Sequence, residues 1–403
     1  MAKGQTTLTR TQTEPGAKDA AEAAAGTTAS ARRGGLLALV KASAVWAITI
    51  FLAINAILFY IDYKQQQSRK PGSSNELNLW NGTESIESML DVYPRTARHP
   101  KVVLAGSSLI VIPNWAMDRA ISAAVPDVFH HHYSQELEKE LKAAGADKHQ
   151  VLSIAAMGAM TSDLYLLSDR LLKGEGTPEY LVVGLAPRDF YDYDVPSPMA
   201  TPAFRRLVEL NNFPRYAGSF LPGWKDRVEW LAEHTCFFYG NRARLQRQVD
   251  KGVDKTYAFL KLPEDKKEGA NAEGGGFKLN GSKEELFASS KKEYTRRYRG
   301  IEAKKLELQL GFLKDLGQLA RERQFKLIVV NMPLSEENRS LMPDGFYERY
   351  RQMLEDSANA SGARLIDLGQ SPDFKRDDFL DTAHLNHLGG FKVYQSIVKA
   401  VKQ

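Results

Sequence analysis

Five short apolar runs recur along the second three-quarters of the chain: Val102–Ala105, Val151–Ala155, Tyr180–Leu185, Phe325–Asn331 and Arg364–Leu368. Each is near-continuously apolar rather than alternating, the pattern of a strand buried on both faces. Between them, Ser134–Ala144, Ser162–Lys173, Glu285–Glu322 and Phe346–Ala360 place apolar residues at helical spacing, and Leu388 to Val401 closes the chain in the same way. Gly145 and Gly174 stand where the first two helices should stop. Strands alternating with helices predict an α/β domain, a parallel sheet covered on both faces. Active sites in such sheets gather at the carboxyl ends of the strands.

The N-terminal quarter follows another pattern. Residues 1–35 are rich in Ala, Thr, Gly and Lys without apolar periodicity and read as a disordered tail. Ala42 to Ile61 then runs 20 residues without a charge. At about 1.5 Å per residue a helix of that length spans roughly 30 Å, the depth of a bilayer core. Trp46, Tyr60 and Tyr63 suit its interfaces, and no small-x-small cleavage site follows, so residues 36–62 are expected to be an uncleaved transmembrane anchor. Arg32, Arg33 and Lys41 before the span are matched by Lys64, Arg69 and Lys70 after it, so charge alone does not orient it. A cytoplasmic N-terminus is chosen because the expected function lies outside. Residues 63–98, with Pro71-Gly72-Ser73-Ser74, read as a linker, and residues 99–403 as the α/β domain.

Within that domain the alternation breaks between about 195 and 300. Aromatic stretches (Arg215 to Trp224, Trp230 to Tyr239) precede a low-complexity loop, Glu264 to Gly276. The block reads as a helical insertion, either a lid or docking surface, or a structural subdomain that never meets substrate.

Composition excludes more than it assigns. A net charge of +5 over 403 residues, with no basic stripe interleaved with aromatics, gives nucleic-acid binding little support. The single cysteine, Cys236, rules out an intrachain disulfide and a cysteine-based zinc site. His130-His131-His132 has no carboxylate or cysteine at ligand spacing nearby and reads as a solvated loop, and no metal or cofactor is expected.

The candidate chemistry lies at two distant places. The first strand ends in Gly106-Ser107-Ser108, a turn that would lift a hydroxyl above the sheet edge. Near the C-terminus, Asp381-Thr382-Ala383-His384 puts a carboxylate three residues before an imidazole, spacing that lets Asp381 fix the tautomer of His384 as a general base. A serine hydroxyl needs such a base to become a nucleophile. Ser108 is the leading candidate and Ser107 its rival. The pattern is not the Gly-x-Ser-x-Gly elbow, since Ile110 stands at the second glycine. His387 reads as the start of the closing helix.

Gly106-Ser107-Ser108-Leu109 after the first strand, a later turn glycine and a terminal Asp381-x-x-His384-Leu385-Asn386 resemble the SGNH, or GDSL-type, hydrolase superfamily. The likeness is greatest to membrane-anchored Gly-Ser-Ser variants such as the D-alanyl transfer protein of teichoic acid modification and the alginate O-acetylation accessory proteins. It covers roughly residues 99–195 and 320–403. The resemblance implies the flavodoxin-like three-layer SGNH fold, Ser108 as nucleophile, Asp381 and His384 as its partners, and an oxyanion hole at the N–H groups of Ser108 and Gly158. The family's second block carries an Asn and an earlier glycine where this chain has Ser153 and Ala155. Its third-block Asn is missing from Gly184-Leu185-Ala186-Pro187-Arg188-Asp189. One oxyanion donor is worth about 3 to 4 kcal/mol. Arg188 either replaces that donor or pairs with Asp189 or Asp192.

The function expected is a membrane-anchored, extracytoplasmic serine esterase or O-acyltransferase acting on a cell-envelope polysaccharide of a bacterium, beside a multi-span membrane acyltransferase. Two other readings stay open: a general esterase or lipase of the same fold, and a non-catalytic envelope assembly protein that binds through the insertion.

Overall fold

A computed structural model describes residues 45–58, 60–61, 64, 82–242 and 281–402. The tail at 1–35, the first part of the expected anchor, most of residues 63–81 and the Gly-rich loop at 264–276 lie outside them. The chain divides into two compact units, residues 70–229 with 265–403, and residues 1–69 with 230–264.

The larger unit is built on five strands: β1 (Val102–Gly106), β2 (Val151–Ser153), β3 (Tyr180–Leu185), β4 (Lys326–Asn331) and β5 (Arg364–Asp367). All pair in parallel, in the order β2-β1-β3-β4-β5, the flavodoxin-like arrangement. Strands β1 and β3 are buried at every position, which is why their sequences are continuous apolar runs. Helices Ser108–Ile121, Gln135–Ala143 and His387–Lys402 pack together on one face. Helices Thr161–Leu171, Ala303–Arg323 and Phe346–Ser361 pack together on the other, giving three layers.

Three features differ from the sequence reading. The segment 285–322 is two helices, Lys283–Arg297 and Ala303–Arg323, because Gly300 adopts a left-handed φ of 56° between them. Residues 82–96, within the span read as a linker, form a helix that buries Ile86, Met89 and Tyr93. Ser108–Ile121 is a full helix despite Pro113, with Leu109 to Asn114 all buried. The insertion is helical where described, through Pro202–Leu207, Phe213–Phe220, Trp224–Thr235 and Phe237–Gly240.

In the smaller unit the described residues 45–58 are helical. Its side chains are largely exposed, among them Trp46, Ile50 and Ile57. Asn55 is the buried exception. Its amide donates to Thr235 O (2.9 Å) and its carbonyl accepts from Phe237 N–H (2.6 Å), bridging the break at Cys236 between two helices. Among the described residues no helix is long and apolar enough to cross a membrane. The expected span begins at residues outside that set.

Candidate active site

The site forms where β1 and β3 end. Gly106 pairs with Gly184 across the two strands, and Ile110 packs over both glycines. A side chain at either glycine would collide with Ile110, so this close approach requires glycine. Ser107 is the N-cap of the helix that follows: fully buried, it accepts from Leu109 N–H at 3.5 Å and gives its hydroxyl hydrogen to Asp189. Ser108 is the first residue of that helix and is partly exposed. Its own N–H, first in the helix, has no intrahelical acceptor.

Ser108 Oγ lies 2.8 Å from His384 Nε2, and His384 Nδ1 lies 2.8 Å from Asp381 Oδ2. Residues 276 positions apart in sequence therefore meet in one hydrogen-bonded chain. Asp381 is locked by its local backbone: its Oδ1 accepts from the N–H groups of Ala383 (2.8 Å) and His384 (2.9 Å). Burial opposes ionisation of Asp381, but the facing His384 ring and these N–H bonds outweigh it and hold the carboxyl below its ordinary range. Asn386 caps the closing helix through Leu388 N–H (2.9 Å) and Gly389 N–H (3.2 Å), and His387 is that helix's first residue, away from the hydrogen-bonded chain.

Support for the Asp381–His384 loop comes from parts of the chain that carry no motif. Thr382 shares a hydrogen bond with Ser290 (2.6 Å) and accepts from Asn338 Nδ2 (3.1 Å), while Ser335 N–H donates to its carbonyl (3.1 Å). The buried Tyr294 ring sits edge-on to His384, with centroids 6.5 Å apart. Ser290 and Tyr294 lie on the helix that ends the insertion, one turn apart, a spacing that carries no signal in sequence.

Gly158 sits in the turn after β2. Ala156 N–H donates to Gly106 O (3.0 Å), which brings this turn beside the serine loop, and Gly158 takes a left-handed φ of 72°. Arg188 is committed elsewhere than to a direct oxyanion role. Its Nη2 donates to Gly158 O (2.9 Å), its Nη1 to Ala159 O (3.0 Å) and its Nε to Asp192 (3.1 Å). The pairing with Asp189 and Asp192 read from sequence is present, and the two carbonyl contacts were not foreseen.

The triple histidine is not a solvated loop. His130 is exposed beside Asp127, but His131 and His132 are buried, and Asp118 lies 3.1 Å from His131 Nε2. Among the described residues no group of three or more His, Cys, Asp or Glu side chains could hold a metal ion.

No family model matches the chain, and no curated protein does. Among solved structures, an acetyl xylan esterase aligns over 74% of this chain and 98% of its own, at 13% identity and a TM-score of 0.33. An alpha/beta hydrolase enzyme from the metagenome of Lake Arreo, Spain, covers 76% of this chain and 96% of its own, at 14% identity and a TM-score of 0.35. Likeness this remote carries no weight for the chemistry, which rests on the contacts above.

Proposed function

We propose that the chain is an SGNH-type serine acyl-ester hydrolase or O-acyltransferase. The observation that carries this reading is the unbroken chain from Ser108 Oγ through His384 to Asp381. Asp381 holds the Nδ1–H tautomer, which makes Nε2 the acceptor of the serine proton. Ser108 Oγ then attacks the acyl carbonyl, and the carbonyl π electrons move onto oxygen. Backbone N–H groups at Ser108 and Gly158 receive that oxyanion. His384 gives its proton to the leaving alkoxide, which departs as the alcohol and leaves an acyl-Ser108 ester. Water regenerates the serine in hydrolysis; a sugar hydroxyl does so in transfer.

A hole without a third side-chain donor favours slow loss to water, which suits transfer. We place the reaction at the outer face of an inner or plasma membrane, on an O-acylated cell-envelope polysaccharide. The uncharged stretch 42–61 serves as anchor, and a multi-span acyltransferase is the supplier of acyl groups. The test is complementation. In cells lacking the wild-type copy, Ser108→Ala should leave envelope polysaccharide O-acylation at the level of the deletion, and Ser107→Ala should restore most of it. Full restoration by Ser108→Ala overturns the reading.

A further inference from the structure

Arg188 is only 5% exposed, on the turn Pro187–Asp189 that follows β3. Burial works against its charge, yet the carboxylates of Asp192 and Asp189 outweigh that effect and hold it firmly protonated. Asp192 is itself held by the buried Arg297, whose Nε and Nη2 bind Glu293 at 3.0 and 2.7 Å. A cation so fully compensated is fixed in place, and its fork spans two consecutive carbonyls, Gly158 O and Ala159 O.

The same turn grips the opposite wall of the site. Asp189 accepts from Ala186 N–H (2.9 Å) and from the hydroxyl of Ser107, the residue before the nucleophile. The Asp189 carbonyl accepts from Thr161 Oγ1 (3.1 Å), just beyond the Gly158 turn. One three-residue turn therefore ties the serine loop to the glycine loop. A glycine in a left-handed conformation is free to rotate its flanking peptide planes unless something holds them. An oxyanion donor works only when its direction is set before reaction.

We infer that Arg188 is a positioning residue for the oxyanion hole: by holding the carbonyls of Gly158 and Ala159 it fixes the two peptide planes that follow Gly158, and so the turn on which the Gly158 N–H is carried. It touches no reacting atom. The inference rests on the acyl-ester reading above and assigns the third-block position of this chain an indirect role.

Arg188→Lys keeps the charge but replaces the planar fork with a point donor that cannot span both carbonyls in the same geometry. Arg323→Lys is the matched control. Arg323 likewise bridges two carbonyls, Ser168 O (3.0 Å) and Leu172 O (2.9 Å), but beside Asp169 rather than the site. The experiment measures p-nitrophenyl acetate turnover by the full chain in detergent, with inhibition by a boronic acid that forms a tetrahedral adduct on serine. Arg188→Lys should lower kcat roughly 10- to 100-fold, the loss expected of a misplaced group. KM should stay within about twofold and boronate affinity should fall by the same factor as kcat. Arg323→Lys should lower the melting temperature and leave kcat unchanged. An Arg188→Lys enzyme with wild-type kcat, or a fall in kcat matched by Arg323→Lys, overturns the assignment. A folded wild-type chain that neither turns over ester nor reacts with a fluorophosphonate overturns the acyl-ester reading itself.

Discussion

Ser290, on the helix Lys283–Arg297 that ends the insertion, hydrogen-bonds at 2.6 Å to Thr382, the residue next to Asp381. Both are buried, and Asn338 Nδ2 adds a second bond to the same Thr382 hydroxyl. The insertion is therefore in direct contact with the loop that carries Asp381 and His384. Thr382→Val keeps the shape and strands Ser290 and Asn338 without their partner. Each unsatisfied buried group costs about 1–3 kcal/mol. Urea unfolding should show a loss of about 2–6 kcal/mol for the two groups, and ester turnover should fall about tenfold as the His384 ring loosens. Unchanged stability and turnover would show that the contact is incidental.

Asp381→Asn tests the tautomer. The Asn carbonyl can still accept from Ala383 and His384 N–H, so the loop should keep its shape. Its amide now faces Nδ1 as a donor, which drives the ring proton to Nε2, where it blocks acceptance from Ser108. The expected result is a fall in kcat of about 10⁴ with an unchanged melting temperature.

Gly184→Ala would place a Cβ against Ile110 and 3.1 Å from Met332 Sδ. Overpacking of this kind costs about 1–3 kcal/mol. Because Ile110 lies two residues past Ser108, its displacement shifts the start of the serine helix as well. The variant should lose both stability and fluorophosphonate reactivity. A stable but unreactive protein would locate the damage in the helix start alone.

His132 gives the protein an acid-sensitive limb. Burial, reinforced by the neighbouring His130 and His131 and opposed by Asp127, pushes its pKa from 6.5 down to about 4. Between those values the unfolded chain binds a proton that the folded chain refuses, so stability is lost as pH falls through that window and is regained above it. At about 1.4 kcal/mol per pH unit, the part of that window above about pH 4.5 is worth about 3 kcal/mol. Urea unfolding of His132→Gln should lose less stability than wild type between about pH 7 and about pH 4.5, by roughly that amount. Parallel losses in the two proteins would contradict it.

The strands buried on two faces were legible in the sequence because they leave continuous apolar runs, as Val102–Ala105 and Tyr180–Leu185 do, while the edge strand Arg364–Asp367, exposed at both ends, showed only through Leu365 and Ile366. Ser108, Asp381 and His384 were legible because a turn after a strand and a three-residue carboxylate–imidazole spacing are local signals. The helix Ser108–Ile121 was not: buried nearly all round at its start and carrying Pro113, it shows no amphipathic period. The solvated reading of His130–His132 failed because the partner of His131, Asp118, lies thirteen residues upstream on that same helix. Arg188 was read through its neighbouring carboxylates, whereas its two carbonyl partners, about thirty residues away, exist only once the β2 and β3 loops are side by side. The SGNH resemblance rests on the same local blocks, and the chain departs from it in the second block, at Ser153 and Ala155, and in the missing third-block Asn.

The most direct measurement is fluorophosphonate labelling of the full chain in detergent, comparing wild type with Ser107→Ala, Ser108→Ala and His384→Ala. Labelling should persist in Ser107→Ala and vanish in Ser108→Ala and His384→Ala, because it is the Ser108 hydroxyl that hydrogen-bonds the imidazole. Labelling that survives Ser108→Ala, or that is absent from folded wild-type protein, would contradict an activated Ser108.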